Sequence, residues 1–367
     1  MKTLRYNYRL RPGAQAAEAL FSEWHCLRWL WNQMVTSRKQ ARPFFKSTDL
    51  TSARKRLPWL RAGSQNVQEQ TMQTFAGKGK RNFKKKRELP SLQYSRNGFS
   101  IRNGRLKIKG ASIPVVWHRE LPSTPSSVRI IQDSLGHWYA SFVVEVSDEA
   151  LPILGNGIGI DWGVATIATT TDPDYDFESP GFAKASAVKL AKYQRRMARR
   201  KPKPGQKASK GYARAKHDAA KLHKKIARQR QHTTRQWARG VVANHQLIAV
   251  EGFRTKFLFQ TTMARSAADN AVGQAKRELI SYAQRAGRNV VIVPPAYTTM
   301  TCSQCAAINK QRLALSERIF TCETCNYTAG RDRNAAKTIL VQAENNLANV
   351  ETIRHATPPS GELLRAS

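Results

Sequence analysis

Residues 157–169 read GIGIDWGVATIAT, a run in which β-branched apolar residues alternate with small ones around a central glycine. This alternation predicts two short strands, and Gly163 predicts the tight turn that joins them. Asp161 then stands where the first strand ends. By itself, an aspartate beside a glycine is typical of a turn residue that hydrogen-bonds its own backbone. A functional role for Asp161 therefore requires further acidic residues elsewhere in the chain that could act with it.

Two acids later in the chain, Glu251 and Asp332, could act together with Asp161. Glu251 ends the apolar run at 247–250, and Asp332 opens a predicted helix at 333–340. In α/β proteins, functional groups gather at the ends of such elements. Converging carboxylates repel one another unless hard divalent cations neutralise them. Two such ions about 3.5–4 Å apart can activate water and stabilise the leaving oxygen of a phosphodiester. Asp161, Glu251 and Asp332 are therefore the candidate catalytic residues and the candidate ligands of divalent cations.

The composition favours a globular protein that binds a polyanion. Hydrophobic residues make up 41% of the 367 residues, and 62 Lys and Arg against 25 Asp and Glu give a formal net charge of +37. This length allows two or three domains with a sizeable core. No apolar run approaches the ~20 residues of a membrane-spanning helix, and residues 1–6 lack a signal-peptide core. Nucleic acid is therefore favoured over a membrane surface as the partner.

The cysteines predict a metal site. Cys302 and Cys305 form one C-x2-C pair, and Cys322 and Cys325 form a second pair after sixteen intervening residues. This spacing is typical of a zinc ribbon in which four thiolates surround one ion. Four protein ligands leave no open position, so the predicted zinc is structural. Cys26 stands apart and is expected to be a small buried residue, and such sparing use of cysteine fits a reducing cytoplasm.

Positive charge is concentrated in two stretches. Residues 78–87 carry a basic run at the end of a predicted helix at 66–86, although such a run is often only a solvated face. Residues 183–240 are predicted to be basic helices broken at 202–205, with Asp218 as their only acid. Because a solvated helix normally interleaves opposite charges, this one-sided charge indicates a surface that follows a phosphate backbone. The predicted nucleic-acid contacts are Lys78, Lys80, Arg81, Lys84, Lys85, Arg195, Arg196, Arg199, Arg200, Lys221, Lys224, Lys225 and Arg228.

The remaining patterns predict helices and strands in both halves. Residues 14–38 form a predicted amphipathic helix whose three tryptophans are expected to pack in a core, with stacking on bases as the alternative. Residues 99–146 change to the period of strands, with a hairpin at the Asn-Gly pair 103–104. The glycines at 155–159 are interpreted as strand flexibility. The apolar run at 289–293 predicts a buried strand.

Together, these motifs resemble the TnpB family, transposon-encoded RNA-guided endonucleases related to the type V CRISPR effectors. The resemblance rests on GIDWG around Asp161, VEGF around Glu251, YTT at 297–299 before the first cysteine pair, and RDRNAA at 331–336. It implies a RuvC-like ribonuclease H fold with the three acids as metal ligands. It also implies a guide RNA made from the transposon end, and a short transposon-adjacent DNA motif read by the N-terminal half.

The expected fold is an α/β multidomain chain. A β-barrel-like wedge module and a helical recognition region precede a RuvC-like nuclease fold with an inserted four-cysteine zinc ribbon. The predicted boundaries are 1–10 and 98–150 for the wedge module, 11–97 for the helical region, 151–300 and 330–349 for the nuclease, 301–329 for the ribbon, and 350–367 for a mobile tail.

The expected function is Mg-dependent, RNA-guided cleavage of double-stranded DNA next to that motif. The cofactors are Mg²⁺, as two ions, one structural zinc and the guide RNA. The partners are that RNA and the target DNA, with no membrane and no small-molecule substrate, in a prokaryotic cytoplasm or on the nucleoid. Two alternatives remain open: an RNA-guided repressor that binds DNA without cutting it, and a transposase that acts directly on DNA ends.

Overall fold

A computed structural model of the chain describes residues 2–40, 47–77, 81–146, 152–252, 264, 269–314 and 316–356. The chain divides into two compact units, residues 1–147 and 148–367. This division falls close to the predicted boundary at 150. In the described part of the chain, no helix combines the length and the apolar character needed to cross a membrane.

The N-terminal unit is built on a seven-stranded antiparallel sheet with the order β2-β6-β7-β1-β5-β4-β3. The central strand, β1, pairs with β7 along its whole length and with β5 only through its last two residues. Among the described residues, β2 and β3 lie at the two ends of this order, so backbone pairing does not close the expected barrel. The strands are β1 (Lys2–Leu10), β2 (Ser91–Ser95), β3 (Phe99–Arg102), β4 (Arg105–Ile108), β5 (Ala111–Val116), β6 (Ser127–Gln132) and β7 (Trp138–Val146).

The predicted hairpin forms between β3 and β4. Its two turn residues, Asn103 and Gly104, have φ values of 50° and 69°. Positive φ at both positions defines the type I′ turn whose twist matches antiparallel strands. The Asn-Gly prediction is confirmed. By contrast, β2 lies inside the stretch expected to be helical, and it pairs along its full length with β6.

Helices cover the N-terminal sheet. They are α1 (Ala14–Lys39), α2 (Ser47–Arg56), α3 (Pro58–Ala62) and α4 (Gln65–Ala76). Trp24 is buried in the core, and Trp29 and Trp31 pack against a second buried cluster, as the packing interpretation predicted. The helix expected at 66–86 ends at Ala76, and residues 81–90 form no regular element. Gly77 follows Ala76 with an extended backbone, which ends the helix.

The C-terminal unit contains a five-stranded sheet with the order β10-β9-β8-β11-β12. Strands β8, β11 and β12 are parallel, and β9 and β10 extend the sheet antiparallel. The predicted pair of strands joined at Gly163 is confirmed. The strands are β8 (Gly157–Trp162), β9 (Thr166–Thr170), β10 (Phe177–Glu178), β11 (Leu247–Glu251) and β12 (Asn289–Val293).

Helices lie on both faces of this sheet. They are α5 (Phe182–Arg199), α6 (Lys210–Asn244), α7 (Val272–Arg285) and α8 (Arg331–Ala356). One core joins α6 and α7 to β8 and β11, and the other joins α8 to β11 and β12. The last helix continues to Ala356, into the stretch expected to be a tail, and residues 357–367 lie outside the described part.

Two sequence interpretations of this sheet are wrong. Strand β12 is at the sheet edge, where Ile292 is 56% exposed, so it is not a fully buried strand. The glycines of β8 are positions of close packing. A Cβ on Gly159 would lie 2.0 Å from the backbone oxygen of Ala336, and one on Gly157 would lie 2.9 Å from Leu340. Glycine is required at Gly159 because α8 crosses the strand in direct backbone contact.

One buried acid gives the N-terminal unit a testable pH dependence. Glu23 on α1 is 6% exposed, and burial raises its pKa to about 7. Its Oε2 accepts a hydrogen bond from the Ser64 backbone N–H at 2.8 Å, whereas Oε1 has no partner among the described residues. Between the unfolded pKa of 4.5 and about 7, the folded chain therefore holds a proton that the unfolded chain releases.

We expect folding stability to fall as pH rises through that window, by about 3 kcal/mol from this group at 1.36 kcal/mol per pKa unit. Glu23→Gln, which stays neutral, should remove this part of the pH dependence and stabilise the unit at pH 8. Denaturant unfolding followed by tryptophan fluorescence at several pH values measures both effects. The control is Glu18→Gln, at an exposed position on the same helix. Parallel pH profiles for the wild type and Glu23→Gln would contradict the assignment.

Candidate functional site

The three predicted acids come from three different elements of the C-terminal unit. Strands β8 and β11 run parallel with Ile160 opposite Val250, so Asp161 and Glu251 follow directly on neighbouring strands. Asp332 lies in the first turn of α8. Its charge and that of Glu251 both act on the carboxyl of Asp161. Asp161 and Glu251 are therefore neighbours across two paired strands, and the charge of Asp332 also reaches Asp161.

Burial makes this site costly without a positive partner. Asp161 is 9% exposed and Glu251 is 7% exposed. Burial raises the pKa of Asp161 well above its usual value, and the charges of Glu251 and Asp332 raise it further. Burial also raises the pKa of Glu251, while a hydrogen bond from Thr298 and the charge of Lys276 oppose that shift. Burial disfavours the negative charge of these carboxylates, and a bound divalent cation would neutralise it. Carboxylate oxygens are also the ligands that hard divalent cations prefer.

Neighbouring side chains hold the acids in place. Thr298 Oγ1 donates to Glu251 Oε1 at 3.1 Å, and the Lys276 ammonium donates to the backbone oxygen of Glu251 at 2.7 Å. Asp332, whose side chain is 38% exposed, pairs with Arg331 at 3.2 Å and with Arg318 at 3.5 Å. The two buried carboxylates are thus fixed by strand ends, and the third is held by arginines.

Arg333 fixes the start of α8 against the sheet. Its guanidinium forms a forked pair with Asp176, at 3.1 and 2.7 Å, and also donates to the backbone oxygen of Thr170 at the end of β9. Asp176 in turn accepts a hydrogen bond from the Thr170 backbone N–H at 2.8 Å. A bidentate arginine–carboxylate pair gives direction as well as energy. It therefore orients the helix turn that carries Asp332.

The four paired cysteines meet at one point. Their sulfur atoms all lie within 4.8 Å of one another, with 3.7 Å between Cys302 and Cys325 and 3.6 Å between Cys305 and Cys322. A tetrahedral zinc with Zn–S bonds of about 2.3 Å requires sulfur atoms about 3.8 Å apart, so the arrangement fits this ion. Among the described residues, this is the group of possible ligands gathered most closely, and the three carboxylates are less tightly grouped.

The two cysteine turns share one geometry. Each first cysteine donates its N–H to the residue five positions later, Cys302 to Ala307 and Cys322 to Tyr327, both at 2.8 Å. The residue after each second cysteine, Ala306 or Asn326, has a left-handed backbone with φ of 62° or 56°. Strands β13 (Ile319–Thr321) and β14 (Thr328–Gly330) form the hairpin of the second turn. Each C-x2-C pair therefore presents its two sulfur atoms from the same kind of turn.

Asn334 connects the cysteine cluster to α8. Its side chain is fully buried, accepts a hydrogen bond from the Ser303 N–H at 2.9 Å and donates to the Thr301 oxygen at 2.8 Å. Thr338, one turn later, donates to the same oxygen at 3.1 Å. The sequence motif RDRNAA contained this signal, but the roles of Asn334 and of Arg333 depend on long-range contacts that the sequence does not show.

Two cations of the first predicted basic patch make contacts within the protein. Arg81 donates to the Phe75 oxygen at 2.7 Å and lies over the rings of Trp31 and Phe75. The Lys84 ammonium lies 4.5 Å from the centre of the Trp31 ring. These two cations therefore pack the segment at 81–84 against α1. Lys85 is exposed, whereas Lys78 and Lys80 lie outside the described residues.

The second basic patch remains accessible. Of its predicted contacts, those described as exposed are Arg195, Arg199, Arg200, Lys221, Lys225 and Arg228, and Arg196 and Lys224 are half-buried. Helices α5 and α6 enclose a cleft of about 900 Å³, and Arg196, Arg199 and Arg200 contribute to its lining. The cleft also contains Lys189, Lys192 and Arg214, which the sequence interpretation did not single out.

Two family models match successive stretches of the chain. Residues 141–262 match the OrfB_IS605 family, described as a probable transposase, and residues 273–339 match the Cas12f1-like TNB domain. A protein of Streptomyces pristinaespiralis, provisionally named an RNA-guided DNA endonuclease, is 26% identical over 361 residues, which cover 91% of this chain and 88% of that protein.

Escherichia coli InsQ, with the same provisional name, is 28% identical over 258 residues, 65% of this chain and 62% of that protein. The cryo-EM structure of CasPhi-2 (Cas12j) bound to crRNA aligns over 93% of this chain and 98% of that one, with 10% identity and a TM-score of 0.47. The parallel strands and the helices on both faces of the sheet define an α/β protein. The two family matches and these two relatives together support a TnpB-family protein.

Zinc analysis tests the cysteine cluster. We expect the purified protein to contain one zinc ion per chain, because the sulfur separations fit tetrahedral coordination. Cys305→Ser should lose the metal and lower the thermal stability of the C-terminal unit, since structural zinc contributes directly to folding. Cys26→Ala is the matched control and should retain the metal. Equal zinc content in Cys305→Ser and Cys26→Ala would exclude this ligand set.

Proposed function

We propose that this protein is an RNA-guided endonuclease that hydrolyses double-stranded DNA next to a short transposon-adjacent motif. The observation that carries the proposal is the burial of Asp161 and Glu251 at the ends of neighbouring parallel strands, with Asp332 in the first turn of α8 close enough for its charge to act on Asp161. Two relatives whose names describe RNA-guided DNA endonucleases support the guided activity. The partners would be a guide RNA from the transposon end and the target DNA.

The acid cluster suits Mg²⁺, because its oxygens are hard ligands and burial penalises their uncompensated charge. Such ions, two in the proposed site, supply an activated water and stabilise the leaving oxygen of a phosphodiester. The protein would bind them through Asp161, Glu251 and Asp332. Thr298 fixes the orientation of the Glu251 carboxylate, and Arg331 and Arg318 restrain Asp332. These contacts would keep the oxygens in one arrangement during the reaction.

We assign the structural zinc to Cys302, Cys305, Cys322 and Cys325, with the ribbon at 301–329. The RuvC-like nuclease would then comprise residues 151–300 and 330–349, with a wedge-like module at 1–10 and 98–150 and a recognition region at 11–97. Asn334 supports the first part of this assignment, because it bonds the ribbon to the helix that carries Asp332. The ribbon would thus position an acid and perform no chemistry.

The exposed cations of α5 and α6 would follow the backbone of the guide or of its heteroduplex with DNA. In guided recognition, base pairing supplies sequence selectivity and the protein holds the phosphate backbone. The net charge of +37 exceeds the ~6–10 phosphate contacts that are typical of a protein with strong salt dependence. This excess charge supports a folded RNA as a second polyanion beside the DNA.

Amide substitutions test the catalytic role of the three acids while keeping the shape of each side chain. Asp161→Asn, Glu251→Gln and Asp332→Asn should each reduce cleavage at least ~100-fold, because each removes a proposed metal ligand. DNA binding should persist or strengthen, since negative charge is lost. Glu344→Gln, an exposed acid on α8, is the control and should cleave normally. Wild-type cleavage rates in Asp161→Asn would disprove the catalytic assignment.

A reprogrammed guide tests the RNA dependence. The RNA that copurifies with the protein is sequenced and digested, a guide of new sequence is added, and the cut sites are mapped on DNA that retains the adjacent motif. We expect the cuts to move with the guide. Cuts that stay at the old position, or that form equally well without RNA, would instead indicate an RNA-independent nuclease or a transposase. Guided binding without cleavage would indicate a repressor.

A further inference from the structure

The cleft between α5 and α6 is strongly cationic. It has a volume of about 900 Å³, and six of its lining side chains are cations: Lys189, Lys192, Arg196, Arg199, Arg200 and Arg214. Four of them, at positions 189, 192, 196 and 199, follow one another at steps of three or four residues along α5. They therefore form a stripe on one face of the helix.

The shape of the cleft restricts what can bind there. Helices that pack together lie about 8–10 Å apart, so a groove between two of them admits a single nucleic-acid strand rather than a duplex. Tyr193 lies on the cleft lining next to the cationic stripe, and Val188, which is 82% exposed, provides an apolar wall. An aromatic ring beside cations is the arrangement on which single strands stack their bases.

Asp218 is the one feature of this cleft that a phosphate ligand does not explain. It is the only acid in residues 183–240, yet it lines the same cleft as the six cations. A carboxylate repels phosphates, so it weakens binding to any backbone unless it receives a hydrogen bond in return. In a sugar–phosphate backbone, the 2′-hydroxyl of ribose is such a donor, and DNA lacks it.

We propose that the α5–α6 cleft binds a single RNA strand and that Asp218 selects RNA over DNA by accepting a hydrogen bond from a ribose 2′-hydroxyl. The cations at 189, 192, 196 and 199 hold successive phosphates, and Tyr193 stacks on a base. The proposal rests on the proposed function only in that it takes RNA to be a partner of this chain. It requires neither cleavage nor the acid cluster.

The test compares short oligonucleotides of one sequence made as RNA, DNA and 2′-O-methyl RNA. Each is titrated into the full-length, zinc-loaded protein after removal of copurified RNA, without added Mg²⁺ and at near-physiological salt. Because a hydrogen bond to a charged group carries most of the selectivity, the wild type should prefer RNA to DNA by about tenfold. The 2′-O-methyl strand lacks the donor and should bind like DNA.

Four variants separate selection for ribose from a general effect of charge. Asp218→Ala should tighten DNA binding and remove most of the preference for RNA, whereas Asp218→Asn should retain part of it because its amide oxygen still accepts a hydrogen bond. Glu344→Ala removes the same charge elsewhere in the unit and should leave the ratio of RNA to DNA affinity unchanged. Tyr193→Ala should weaken both RNA and DNA.

An unchanged affinity ratio in Asp218→Ala would overturn the proposal, as would equal loss of RNA and DNA binding, which would mean that Asp218 only organises the neighbouring cations. Stronger wild-type binding to DNA than to RNA would assign the cleft to a DNA strand. Guided cleavage is measured separately with the catalytic variants. A failure of the proposed nuclease activity therefore leaves this binding result interpretable.

Discussion

The contact between α8 and β8 is the constraint on which the C-terminal unit depends. At Gly159 the helix backbone comes so close that a single Cβ would lie 2.0 Å from the Ala336 oxygen. This contact brings the N-terminal turn of α8 over the strand that carries Asp161. Arg333 then fixes the rotation of the helix through its fork to Asp176. These contacts set the position of Asp332. The relative positions of the three acids therefore depend on how α8 packs on the sheet.

The three acids illustrate how a candidate functional site can lower the stability of the fold that contains it. Burial and mutual repulsion raise the pKa of Asp161, so its ionised form is disfavoured in the unliganded fold. The surrounding structure tolerates this cost because two of the acids lie at the ends of paired strands. The third is more exposed and is held by arginines. A cation that enters would relieve repulsion already built into the fold, which favours a rigid site over one assembled by its ligand.

Local sequence patterns predicted the strands around Gly163, the Asn-Gly hairpin and the converging cysteines, because each depends on residues close together in the chain. Two misinterpretations have a common physical origin. The exposure of β12 depends on its place in the sheet order, and the meaning of the β8 glycines depends on a helix more than 160 residues later. Arg81 and Lys84 pack on aromatic rings supplied by α1 and α4. Sequence identified the candidate acids and cysteines, but not the partners that hold them.

The separation of Arg333 from Thr170 by 163 positions has a consequence for biosynthesis. Strand β8 leaves the ribosome well before α8, so the face of β8 that packs on α8 is without this helix until residues 331–356 have been made. A partly synthesised chain therefore has two of the three acids on their strands but lacks the third. Since domains fold as synthesis proceeds at about 5–20 residues per second, this interval lasts on the order of ten seconds or more. Translation itself thus delays completion of the acid cluster until the cysteine turns and the helix that follows them have emerged.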